Sequence, residues 1–133
     1  MGRQLILETT FLIDLERDAR RELVGPATDF LEAERDSSLF VTFTVAGELA
    51  AGMSLGERAI WEHFLGPFHT LPSTDDVCWE YGKLHRYLAD NGLLIGANDL
   101  WIASTAIAYG MPVVTRNEAH FRRAPNLRVV TYS

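Results

Sequence analysis

Gln4-Leu5-Ile6-Leu7-Glu8-Thr9-Thr10-Phe11-Leu12-Ile13-Asp14 is the stretch whose pattern decides the fold class. Its first four residues are too short and too apolar a run for a strand with one face in water, so they predict a strand buried on both faces. Glu8 closes the run. Thr9 and Thr10 are placed to cap a helix whose Phe11, Leu12 and Leu15 share one face. A buried strand that passes directly into an amphipathic helix is the opening of an α/β unit. The carboxylate at the junction lies where open α/β sheets build their sites, outside the carboxyl ends of the strands.

The same alternation continues along the chain. Pro26 starts a second helix with Phe30 and Leu31 inward, and residues 39–43 form a β-branched and aromatic strand. Thr44 is expected to cap a short helix containing Val45, Leu49 and the small residues Gly47, Ala50 and Ala51. Ser54 is expected to cap another, carrying Leu55, Ile60, Trp61, Phe64 and Leu65 and stopped by Gly66-Pro67. A short strand at 68–71 precedes a capping-box pattern at 73–76 and a long helix that ends at Asn91-Gly92. Asp99 opens a very apolar helix ended by Gly110; strands at 112–115 and 127–131 follow, separated by a turn carrying Phe121. The prediction is one α/β domain over residues 1–133, with a mostly parallel central sheet of four or five strands flanked by helices.

Bulk properties narrow the function classes. A chain of 133 residues, 47% hydrophobic and 23% charged, has the balance of a water-soluble globular domain. No apolar run approaches the roughly 20 residues needed to cross a bilayer, and Glu8 and Asp14 interrupt any secretory pattern. Cys78 is the single cysteine, which excludes an internal disulfide and makes the cytoplasm the expected compartment. With one cysteine and four scattered histidines (His63, His69, His85, His120), a structural zinc site is not expected. A net charge of −6 argues against non-specific nucleic-acid binding, though Arg116, Arg122, Arg123 and Arg128 gather in the tail. Trp61, Trp79 and Trp101 fall at helical apolar positions, which favours packing over base stacking.

Three acids acquire meaning from this topology. Glu8 ends the first strand, Glu48 lies in the helix after the second, and Asp99 begins a helix that feeds a later parallel strand. All three therefore converge on the carboxyl edge of the sheet, where Thr115, Arg116 and Asn117 also arrive. Each acid alone has an ordinary explanation, as a strand end, a helix face or a helix-dipole acid. Together they repel, and a divalent cation is the usual remedy. Glu8, Glu48 and Asp99 are the candidate ligands for Mg²⁺ or Mn²⁺, supporting phosphodiester hydrolysis by metal-activated water. Asn117 is a further candidate as a neutral ligand, or a turn residue bonded to backbone, while Thr115 and Arg116 are candidates for substrate contact. Asp14, two turns from Glu8, reads as a surface acid.

In order along the chain, these segments resemble a known family. Residues 5–14 are similar to the opening of PIN domains, Val45-Ala46-Gly47-Glu48-Leu49 to their second acidic motif, and residues 96–106 to their third. Val113-Val114-Thr115-Arg116-Asn117 with Phe121 resembles the closing motif. Among small PIN proteins the chain most resembles the VapC ribonuclease toxins of toxin–antitoxin pairs. That resemblance implies an RNA substrate, a small VapB-like antitoxin partner and a homodimer. Two positions depart from the pattern: Glu8 stands where the family has aspartate, and Asn117, Glu118 and His120 share the region of its further aspartate. The departures keep open an alternative, a PIN-like protein that has lost the chemistry and acts by binding RNA or a partner protein.

Overall fold

The apolar run at the N-terminus becomes the middle strand of the sheet, and its residues Leu5, Ile6 and Leu7 are wholly buried. Three consecutive buried residues on a strand require cover on both faces, as the sequence predicts. The computed structural model describes residues 2–133. Five strands, β1 (Gln4–Leu7), β2 (Ser38–Thr42), β3 (His69–Leu71), β4 (Val113–Val114) and β5 (Val129–Val130), form one sheet in the order β3-β2-β1-β4-β5. Every pairing is parallel, with Ile6 in register between Phe40 and Val113. The chain builds outward from β1 to β3 on one side and resumes with β4 on the other. The order therefore reverses between β1 and β4, and that reversal opens the crevice in which α/β sheets place their ligands.

Among the described residues seven α-helices connect and flank these strands: α1 (Thr9–Arg20), α2 (Pro26–Ala33), α3 (Phe43–Ala51), α4 (Arg58–Leu65), α5 (Asp75–Asp90), α6 (Ala97–Tyr109) and α7 (Glu118–Phe121). Helix α6 is the most buried: Leu100, Ile102, Ala103, Ser104, Thr105 and Ala106 are all inside. Its two buried hydroxyls return to the helix, Ser104 Oγ donating to the Leu100 carbonyl and Thr105 Oγ1 to that of Trp101, each at 2.7 Å. This satisfies them without a tertiary partner. Gly110 ends α6 in the left-handed region at φ 69°, where a side chain would be strained. Helix α5 packs along α6, and the Tyr81 ring stacks on Trp101 with centroids 3.9 Å apart.

Helix starts are where the structure departs from expectation. Glu8, rather than Thr9 or Thr10, is the N-cap of α1, its carboxylate accepting from Thr10 N at 2.8 Å. Thr42 caps α3 in place of Thr44, because β2 ends one residue sooner than its aromatic pattern suggests and Phe43 is already helical. Ser54 lies in a 3₁₀ turn, Met53–Leu55, and α4 begins only at Arg58; Gly56 separates the two. Thr74 caps α5 by accepting from Val77 N. Strands β4 and β5 hold only the two-residue centres of the segments expected. Trp79 is corrected as well: it is 64% exposed, with the Arg86 guanidinium 5.9 Å above its ring.

Phe11 anchors α1 into the core, meeting Phe30 and Tyr132 edge to face with ring centroids 5.6 and 4.9 Å away. Phe11→Ala should lower unfolding free energy by about 3–5 kcal/mol. Urea denaturation should show a reduced midpoint with an unchanged slope.

Candidate functional site

Glu8 sits at the carboxyl end of β1 and Thr115 directly after β4, so the two residues face each other across the reversal point. The backbone stitches this edge closed: Glu8 N donates to the Val114 carbonyl at 3.0 Å, and Thr115 N to that of Val130 at 3.1 Å. Glu8 is only 2% exposed. Its Oε1 accepts from the hydroxyls of Thr115 and, at 2.9 Å, Thr10, while Oε2 takes the Thr10 amide. Burial pushes the Glu8 carboxyl above the usual carboxylate range, and the nearby Asp99 charge pushes the same way, against the hydrogen bonds from Thr115 and Thr10.

The neighbouring acids are held by different means. Glu48, one turn into α3, accepts from the Thr9 hydroxyl at 2.9 Å. Asp99, in the first turn of α6, approaches His120 Nδ1 at 3.2 Å, and the Asn117 amide nitrogen lies 2.9 Å from that ring nitrogen. Asn117 N in turn donates to Thr115 Oγ1 at 2.9 Å. A continuous set of polar contacts thus runs from Glu8 through Thr115 and Asn117 to His120 and Asp99. Thr9, next in sequence to Glu8, carries the link to Glu48.

Among the described residues no arginine or lysine pairs with Glu8, Glu48 or Asp99. Nor do any three described His, Cys, Asp or Glu side chains form a ready-made metal cage. The structure therefore brings Glu8 and Asp99 within reach of each other's charge, with Glu48 tied to the adjoining residue, but does not gather all three for direct ligation of one ion. Their hard oxygens still fit Mg²⁺ or Mn²⁺. Such ions commonly keep several waters and need only one or two carboxylates.

Thr115 differs from its expected place: it is fully buried, and its hydroxyl is committed to Glu8, so it orients a carboxylate rather than meeting substrate. Arg116 is exposed beside the site, its NH1 3.0 Å from Asp14 and its backbone N donating to Thr10 Oγ1 at 3.1 Å. Asp14 is correspondingly not a free surface acid; it also accepts from the Tyr132 hydroxyl at 2.7 Å. Burial, and after it that contact, raise the Tyr132 phenol well above its ordinary range. Thr9, Thr10 and the Asp14–Tyr132 contact escape sequence reasoning. The threonines read as ordinary caps, and Tyr132 is 118 residues from its partner.

A PIN-domain family model matches residues 5–127. Ribonuclease VapC2 of Rickettsia felis is 33% identical over 98 residues, covering 70% of this chain and 73% of that protein. Ribonuclease VapC1 of Haemophilus influenzae strain R2866 is 27% identical over 125 residues, covering 92% and 93%. Among solved structures, VapBC2 from Rickettsia felis bound to a promoter DNA fragment superposes with a TM-score of 0.82 at 26% identity, covering 98% of this chain and 99% of that one. VapBC-1 from nontypeable Haemophilus influenzae gives 0.75 at 26% identity, covering 96% and 97%. The matched sequence and the parallel sheet agree on one assignment: the chain belongs to the PIN-domain family, in its VapC group.

Proposed function

We propose that this chain is a VapC-type endoribonuclease, the toxin of a VapBC-type toxin–antitoxin pair, that hydrolyses RNA phosphodiester bonds with Mg²⁺ or Mn²⁺ as cofactor. The observation that carries the reading is the buried Glu8 carboxylate, unpaired with any basic side chain among the described residues and facing the charge of Asp99 at the reversal point of the sheet. Burying a carboxylate without a cation is unfavourable, and hydroxyl donors reduce the cost without cancelling it.

Glu8 and Asp99 would hold the ion, with Glu48 completing the acidic edge and Asn117 contributing its amide. A divalent ion supplies Lewis-acid activation of water and charge stabilisation on phosphoryl oxygens. The remaining work belongs to the protein. Thr10 and Thr115 fix Glu8 in one orientation, and Thr9 does the same for Glu48. Arg116, with its side chain 58% exposed, can exchange Asp14 for a phosphate of the RNA, a bidentate contact suited to guanidinium. The extra methylene of Glu8 is accommodated by the α1 N-cap, which draws its carboxylate back onto the Thr10 amide. The VapBC pairs among the solved relatives support a small VapB-like antitoxin as partner. The family resemblance adds a homodimer working in the cytoplasm.

RNA cleavage in Mg²⁺ or Mn²⁺ should stop with EDTA, and Asp99→Asn should lower it roughly a hundredfold or more, the scale on which removing one transition-state stabiliser acts. Cleavage indifferent to both would reject the metal-dependent reading, and binding of RNA or a partner protein without any cleavage would favour the alternative of a binding protein.

The buried charge has its own signature in stability. The raised native pKa of Glu8 favours its protonated form in the fold. Its contribution is therefore fully present below the unfolded-chain value of about 4.3 and is lost as pH rises through the native one. In metal-free buffer, the melting temperature of wild type minus that of Glu8→Gln should fall as pH rises from about 4 to neutrality. A pH-independent difference would contradict the assignment of a buried charge to Glu8. At neutral pH, saturating Mn²⁺ should raise the melting temperature of wild type and leave Asp99→Asn unmoved.

A further inference from the structure

His120 Nδ1 faces two groups at once, Asp99 Oδ2 at 3.2 Å and the Asn117 side-chain amide at 2.9 Å. A neutral imidazole nitrogen offers either one proton or one lone pair. A proton on Nδ1 suits the carboxylate and opposes an amide N–H; a lone pair suits the amide and opposes the carboxylate. Turning the Asn117 amide exchanges its oxygen and nitrogen positions at no steric cost, which brings an amide oxygen to the ring. A carboxylate oxygen, an imidazole nitrogen and an amide oxygen then border one small region at the edge of the acidic site.

The spacing matches a shared cation. Ligands about 2.1 Å from an octahedral ion, at right angles to each other, stand about 3.0 Å apart. The separations of 3.2 and 2.9 Å bracket that value. Both side chains have access to solvent, His120 at 42% and Asp99 at 25%, so an ion and its waters can enter. His120 also has a firm base: α7 follows Asn117 directly, and Phe121 beside it is wholly buried.

We propose that His120 is a nitrogen ligand of the divalent ion, acting beside Asp99 and setting which metal the site prefers. This rests on the metal-dependent reading above and deepens it. Mg²⁺ favours an all-oxygen shell, whereas an imidazole donor favours first-row transition ions in the order of their affinity for nitrogen. His120 therefore tilts the site away from Mg²⁺ and toward Mn²⁺.

The test uses the full chain, freed of metal by chelation and loaded with one equivalent of Mn²⁺. Pulsed electron paramagnetic resonance on the bound ion should show ¹⁴N modulation from a directly coordinated imidazole. That modulation should vanish in His120→Gln, whose retained fold is checked by its melting curve. Titration calorimetry should show the Mn²⁺-over-Mg²⁺ affinity ratio falling about tenfold or more in His120→Gln. In His120→Asp, which restores an oxygen donor, Mg²⁺ affinity should rise relative to wild type. Mn²⁺ bound in wild type and lost in Asp99→Asn, but without nitrogen modulation, would overturn the His120 assignment and leave the metal reading standing; His120 would then be an ion-pair partner of Asp99. An unchanged affinity ratio in His120→Gln would overturn it equally. Failure of wild type to bind Mn²⁺ at all would overturn both.

Discussion

Burying a carboxylate at the end of the central strand constrains everything around it. Glu8 has almost no access to water, and no arginine or lysine among the described residues offsets its charge. The fold answers with two hydroxyls and one backbone amide, drawn from α1 and from the residue after β4. Those donors have to be rigid. Thr10 is fixed by the first turn of a helix that Phe11 pins into the core, and Thr115 by backbone bonding to β5. Packing and site geometry are therefore one problem here, because slack in either flank would leave a buried charge without its donors.

The same economy explains the arrangement of the other acids. Glu48 and Asp99 arrive on separate helices, each with a partner of its own, the Thr9 hydroxyl and the His120 ring. Neither partner is a fixed cation. An arginine in either place would neutralise the edge permanently, whereas hydroxyls and an imidazole leave it negative and open to an exchangeable ion. Arg116, beside the site, is held outward by Asp14, which Tyr132 braces from the C-terminal segment. On the proposed reading, the groups that would attract a divalent ion and the one that would meet phosphate are adjoining but distinct.

Helix beginnings show why local rules were not enough. Threonine is a better intrinsic cap than glutamate, which points to Thr9 and Thr10 for α1. The structure uses Glu8, because the tight passage from β1 leaves its side chain folded back on the Thr10 amide, and the threonine hydroxyls are drawn to the two acids instead. At α3 the aromatic Phe43 extends the apparent strand, yet Thr42 already accepts from Val45 N and starts the helix. At α1 a tertiary demand at the sheet edge outweighed a preference worth about 1 kcal/mol.

The alternation of buried strands with apolar-faced helices is written into the residues themselves, since burial on both faces leaves a continuous apolar run and a helix needs its stripe. That pattern determined the α/β class, the apolar helix in whose first turn Asp99 lies, two residues after its start at Ala97, and the sheet edge to which Glu8, Glu48 and Asp99 are brought. Strand order was not legible, because nothing local distinguishes β4 pairing with β1 from β4 pairing with β3. Only the assembled sheet set Thr115 opposite Glu8 and His120 against Asp99, contacts that span 107 and 21 residues. Pairing across such distances follows from the packing of whole elements, and no short stretch of sequence contains it.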